Sequence, residues 1–236
     1  MLSRLTKHLV KNANRLRVPA VARSVRRARL TYLSDAKFIS LRDAIRRLRR
    51  ENVPGDFIEY GIALGGSAIY IASELNGDRS FHGYDVFGMI PSPTEQDDEK
   101  SKARYETIRS GRSKGIGGDT YYGYQGDLFD KVSASFKDFG VPADGKRIVL
   151  HKGLFEDTVQ FHPKSRVALA HIDCDWHDPV KFCLERTVEV LSPGGFMILD
   201  DYNDYGGCRT ATDQFLAGRS DCRLIRTLPH AVIQRS

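Results

Sequence analysis

Apolar and polar positions divide the chain into helix-like and strand-like stretches in turn. Phe38, Leu41, Ala44, Ile45 and Leu48 recur at three- and four-residue intervals, which predicts an amphipathic helix within 33–56. Ser34 or Asp35 supplies its N-cap and Pro54-Gly55 ends it. DFIEYGI (56–62) reads as a buried strand, GGSAIYIASELNG (65–77) as a helix closed by Asn76-Gly77, and SFHGYDVF (80–87) as a second strand. Between 88 and about 122 the pattern fades into a polar, glycine-rich stretch too long for an ordinary connection. The expectation there is an active-site lid. Regularity returns with a helix over 127–140, which has Phe129, Val132, Phe136 and Phe139 as apolar positions. Strands follow at 147–153 and 167–175, then a helix at 180–195 and a strand at 196–202. A helix near 208–218 and strands near 222–227 and 230–234 complete the chain. Strands alternating with helices predict an α/β fold with a mostly parallel sheet.

Composition narrows the class. With 41% hydrophobic residues, the 236-residue chain can bury one large core with a helical appendage, and no apolar run is long enough to cross a bilayer. The net charge of +6 is uneven: residues 1–30 hold nine Lys/Arg and no acid, leaving 27 bases against 30 acids in the rest. This divides the chain into a basic helical arm (1–32) and a main domain (33–236). Leu2, Leu5, Leu9 and Leu16 fall near one helical face of the arm, among Arg4, Lys7, Lys11 and Arg15. Such a face suits packing on the body or on a second subunit, hence an expected dimer; contact with nucleic acid or an anionic membrane is the alternative. The start lacks the h-region of a secretory signal, although its Arg-rich, acid-free composition imitates a transit peptide. Cys174, Cys183, Cys208 and Cys222 form no CxxC and no metal spacing, which favours reduced thiols and a cytoplasmic protein.

Chemistry gathers at the strand ends. Glu59-Tyr60-Gly61, Asp85, Asp173 and Asp200-Asp201 each follow an apolar run, and parallel sheets bind ligands beyond those carboxyl ends. EYGIALGGSA (59–68) places glycines 61, 65 and 66 in a strand-to-helix turn that lets backbone approach a ligand. It matches neither a dinucleotide fingerprint nor a phosphate loop. Asp85 suits ribose hydroxyls. A glycine turn with such an acid fits a nucleotide or S-adenosylmethionine.

The segments PGDFIEYGIALGGSA, HGYDVFGMIPSP, KGLFEDTV, AHIDCDWHDP and LSPGGFMILDDYNDYGGCRTATDQF, spread over 54–216, together resemble the macrocin O-methyltransferase family. That family comprises metal-dependent S-adenosylmethionine enzymes acting on sugar hydroxyls of natural products; catechol O-methyltransferases are similar more distantly. The resemblance implies a Rossmann-like class I methyltransferase fold with an antiparallel C-terminal strand and helices on both faces. It assigns Gly61, Gly65 and Ser67 to the methionine end of the cofactor, Glu59 to support of that turn, and Asp85 to ribose. Gly153 and Phe155 fall beside the adenine, and Asp173, Asp200 and Asp201 match the metal-binding acids. Like charges so close together are unfavourable unless a cation lies among them, and an all-oxygen set favours Mg²⁺.

The implied reaction is methyl transfer to a hydroxyl of a small-molecule acceptor, its pKa lowered by Mg²⁺ and water excluded by the lid. A catechol-like phenol is the alternative acceptor. Asp173 and His177 are the candidate bases; His177 stands where the family usually has tyrosine, and a surface-facing position is its plainer reading. The lid contains no histidine that could serve. His171 receives no role. No nucleic-acid partner is expected, because the body lacks a basic stripe with interleaved aromatics.

Overall fold

The computed structural model describes residues 17–236. Leu2, Leu5, Leu9 and Leu16 lie outside them. Seven strands form one sheet in the order β3-β2-β1-β4-β5-β7-β6. These are β1 Asp56–Tyr60, β2 Phe81–Asp85, β3 Ile148–Lys152, β4 Val167–Ile172, β5 Leu191–Leu199, β6 Cys222–Arg226 and β7 Ala231–Arg235. The first five run parallel, while β7 pairs antiparallel with β5 and with β6. The order reverses between β1 and β4, and that crevice is where open α/β sheets bind ligands.

Period-two alternation sends successive strand residues into two cores. Phe57, Leu169 and Phe196 join one; Ile58, Ala170 and Met197 join the other. The first core is covered by α1 Ala20–Arg27, α2 Asp35–Arg50, α3 Gly66–Ser73 and, after the lid, α5 Leu128–Asp138. The second is covered chiefly by α7 His177–Val190 and α8 Gly206–Ala217. The apolar stripe Phe38, Leu41, Ala44, Ile45 and Leu48 of α2 is buried throughout, and Ser34 Oγ caps the helix by accepting from Lys37 N.

Three features refine the expectations. Residues 20–27 pack on the body: Ala22 and Val25 are fully buried and α1 packs on α3. The LSPGG stretch belongs to β5 rather than to the preceding helix, with Gly194 at φ +81°. The lid carries a helix, α4 Glu99–Arg109, of which only Ser101 and Ile108 are buried. No apolar stripe announces it. Asp98 caps it, accepting from Ser101 N at 2.9 Å. A single turn, α6 Phe155–Thr158, follows β3. Among the described residues, no helix is long and apolar enough to cross a membrane, and all four cysteines are buried and unpaired.

Candidate active site

Strand register assembles the site. Tyr60 pairs with Ile172, and Ile172 with Leu199, so the next residues along, Gly61, Asp173 and Asp200, stand at one level at the carboxyl edge. Backbone bonds continue the ladder one step, Asp173 N to Tyr60 O and Asp200 N to Ile172 O, each 2.9 Å. Gly61 is dictated by this closeness. It has φ +85°, and a Cβ there would lie 1.8 Å from Asp173 O.

Carboxylate oxygens of Asp173, Asp200 and Asp201 come within 4.8 Å of one another. Burial pushes Asp173 and Asp201 well above the usual carboxylate range, and repulsion from neighbouring acids adds to it. Asp200 goes the other way. Burial disfavours its charge, but His171, His230 and Lys37 outweigh that and hold it below the usual range. Lys37 Nζ reaches Asp200 Oδ2 at 2.7 Å.

Behind the acids runs a line of buried polar groups that register also explains. Glu59 sits opposite His171 on paired strands, and their side chains meet at 2.7 Å. His230 precedes Ala231, the partner of Leu199, and so faces Asp200. Asp200 Oδ1 lies 3.6 Å from His171 Nε2 and 3.5 Å from His230 Nδ1, beyond good hydrogen-bond length, and none of these three atoms has another partner. His230 Nε2 meets Ser40 Oγ at 2.7 Å.

A cavity of about 680 Å³ opens at this edge. Of the sequence-derived candidates, Gly61, Asp85, Phe155, Asp173, Asp200 and Asp201 line it; Glu59, Gly65, Ser67, Gly153 and His177 do not. Asp85 is already engaged: its Oδ2 accepts from Ile62 N (2.7 Å) and Ala63 N (2.9 Å), and its Oδ1 from Phe87 N (2.6 Å). It therefore shapes the loop after β1 in addition to any contact with a ribose. Gly65 starts α3 at φ +90° and faces α5, where a Cβ would touch Val132. The first turn of α3 is covered instead by residues before α2, because Gly66 N donates to Leu30 O at 2.8 Å. Gly65 and Ser67 thus lie behind the cavity lining, at the start of α3.

The surface-facing reading of His177 does not hold. The residue is 4% exposed, so it does not face the surface, and its ring lies between Asp178 Oδ1 (2.7 Å) and Gln214 Oε1 (3.1 Å), outside the cavity lining. Asp175, by contrast, faces the cavity. It lines the cavity at φ +60°, a strained conformation for a non-glycine residue, and its N–H donates to Asp201 Oδ2 at 3.1 Å. Burial raises its pKa to about 7, against the pull of Arg104.

The lid is docked through two adjacent acids. Asp97 Oδ1 accepts from His177 N (2.8 Å) at the start of α7, and Asp98 Oδ2 from Gly206 N (3.0 Å) at the start of α8. Both satisfy helix-terminal amides, which attract negative charge. Trp176 Nε1 donates to Pro91 O at 3.0 Å. Lid residues Arg104 and Tyr121 complete the wall, with the guanidinium 5.5 Å from the ring centre.

A model of the macrocin O-methyltransferase family matches residues 6–225. The chain is 27% identical over 187 residues to 8-demethyl-8-(2,3-dimethoxy-alpha-L-rhamnosyl)-tetracenomycin-C 4'-O-methyltransferase of Streptomyces olivaceus, covering 78% of this chain and 67% of that protein. It is 28% identical over 192 residues to mycinamicin III 3''-O-methyltransferase of Micromonospora griseorubida, covering 78% and 69%. In fold it is similar to the solved O-methyltransferase NovP, with a TM-score of 0.73 at 20% identity over 95% of this chain and 98% of that one. With a family model spanning most of its length, the chain belongs to the macrocin O-methyltransferase family and is an S-adenosylmethionine-dependent O-methyltransferase.

Proposed function

We propose that the chain methylates a sugar hydroxyl of a natural product with the help of a divalent ion, Mg²⁺, held by Asp173, Asp200 and Asp201. The convergence of these three acids in the cavity carries the reading. The donor set fits the ion: all its atoms are hard oxygens, with no cysteine among them. Repulsion among the acids adds to burial in raising Asp173 and Asp201, and a cation among them would relieve it. Bound there, such an ion supplies Lewis acidity that lowers the pKa of an acceptor hydroxyl. The sugar acceptor is supported by the two relatives above, both named for positions on natural-product scaffolds.

The chain's own residues do the rest. Gly61, Ala63, Asp85 and Phe155 line the part of the cavity that would take S-adenosylmethionine. Trp176 and Tyr205, packed edge to face at 5.2 Å, offer an apolar wall to a sugar ring. Asp175 receives the hydroxyl proton as the oxygen–carbon bond forms and the carbon–sulfur bond breaks, leaving a neutral thioether. The docked lid keeps water away while the opposite charges on oxygen and sulfur cancel.

The test is turnover of the full-length chain with S-adenosylmethionine and a panel of deoxysugar glycosides and catechols, with and without chelator. Methylation of a glycoside should vanish with EDTA, return with Mg²⁺, and fall at least about 100-fold in Asp201→Asn. Undiminished turnover under chelation would refute the metal's part, and exclusive methylation of catechols would refute the sugar.

A further inference from the structure

Lys37 belongs to α2, yet its side chain reaches the acids that follow β5. Its Nζ lies 2.7 Å from Asp200 Oδ2, 3.1 Å from Asp200 O and 3.3 Å from Asp204 Oδ2. An ammonium group has three protons, and these three acceptors can take all of them. The contact is also sheltered, since the Lys37 side chain is 15% exposed and that of Asp200 8%. Elsewhere on α2, Arg47 and Arg50 pair with nearby Glu51 at the surface, as solvated arginines do. Lys37 is held differently, and it lines the cavity beside the acids.

The two oxygens of Asp200 face different neighbours. Oδ1 points between two buried imidazoles, and Oδ2 is held by the ammonium group. A lysine ammonium is cationic throughout the neutral range, and the carboxylate 2.7 Å away favours that charge. The acid cluster therefore carries its own positive charge against one of its three carboxylates.

We propose that Lys37 is the resident counter-cation of the acid cluster, whose hold on Asp200 a divalent ion must overcome, so that this side chain sets the metal affinity of the site. This rests on the metal reading above. The ammonium group steadies the carboxylates while no ion is bound and opposes the ion that binds among them. The geometry does not make Lys37 a proton acceptor; its part is to position Asp200 and to tune its charge.

The experiment is Mn²⁺ binding to the full-length chain, with free ion counted by electron paramagnetic resonance and no turnover required. Lys37→Met keeps the length of the side chain and removes its charge. It should bind Mn²⁺ about tenfold more tightly or better, because a like charge a few ångströms from the ion has gone. Lys37→Arg, still cationic, should stay within about threefold of the wild type. Without metal, Lys37→Met should melt lower than the wild type, and saturating Mn²⁺ should close the gap. Lys37→Gln serves as a second uncharged variant if Lys37→Met fails to fold. Affinity unchanged or weakened in the uncharged variant, while Asp201→Asn abolishes binding, would overturn the role of Lys37 and leave the metal site standing. If neither wild type nor variant binds Mn²⁺, both ideas fall together.

Discussion

His171 Nδ1 lies 2.7 Å from Glu59 Oε1, and neither side chain has any exposed surface. Burial opposes a charge on His171, but Asp200 and Glu59 together raise its pKa from 6.5 to about 9. A group whose pKa rises on folding stabilises the fold fully below its unfolded value and loses that contribution as pH climbs through the folded value. With chelator present, the melting temperature should fall between pH 6.5 and about 9. His171→Gln should flatten this dependence and destabilise the fold by about 3 kcal/mol, because it leaves Glu59 buried without its partner. Parallel pH profiles for the two proteins would contradict the assignment.

Asp175 as base makes a kinetic claim. Asp175→Asn should lower kcat about 100-fold or more while the affinity for S-adenosylhomocysteine stays within about threefold. In the wild type, kcat should rise with pH to a plateau, since the base works only when ionised. Its acid limb belongs at or below about 7, because a bound cation favours the carboxylate further. Full activity in the variant would return the role to Asp173.

Asp97 ties the lid to α7. Asp97→Ala removes the acceptor for His177 N and should speed amide exchange across 88–122. It should also raise the acceptor KM about tenfold, with cofactor affinity nearly unchanged. Gly207→Ala should act alike, since a Cβ there would fall 1.8 Å from Asp97 Oδ1. Unchanged exchange in both variants would show that the lid is held by other contacts.

Gly61→Ala is the severe case. The new methyl would meet Asp173 O, and the φ of +85° disfavours any side chain. We expect destabilisation of about 3 kcal/mol or more, read by thermal unfolding, with loss of cofactor binding.

Much of this architecture was legible in the sequence. Short apolar runs located the strands, and the stripe from Phe38 to Leu48 located α2, because burial leaves a mark in the order of residues. Helix α4 left none; it is held by Asp98 and by docking to α8, and only Ile108 of its apolar residues is buried. The acid trio was visible as three carboxylates at strand ends. Lys37, His230 and the position of Asp175 were not, because they depend on register and on elements distant in sequence. His171 was passed over for the same reason, as its meaning comes from Glu59 across the strand pair.

The bond from Gly66 to Leu30 changes where this enzyme can be cut. A boundary drawn at residue 33 would take away the carbonyl that finishes α3, together with Ala22 and Val25 from the core and Tyr32 from the cavity rim. A protein shortened there should lose its grip on the methyl donor even though every carboxylate at the strand ends is retained. The stretch resembling a detachable leader is, from α1 onward, part of the pocket's foundation.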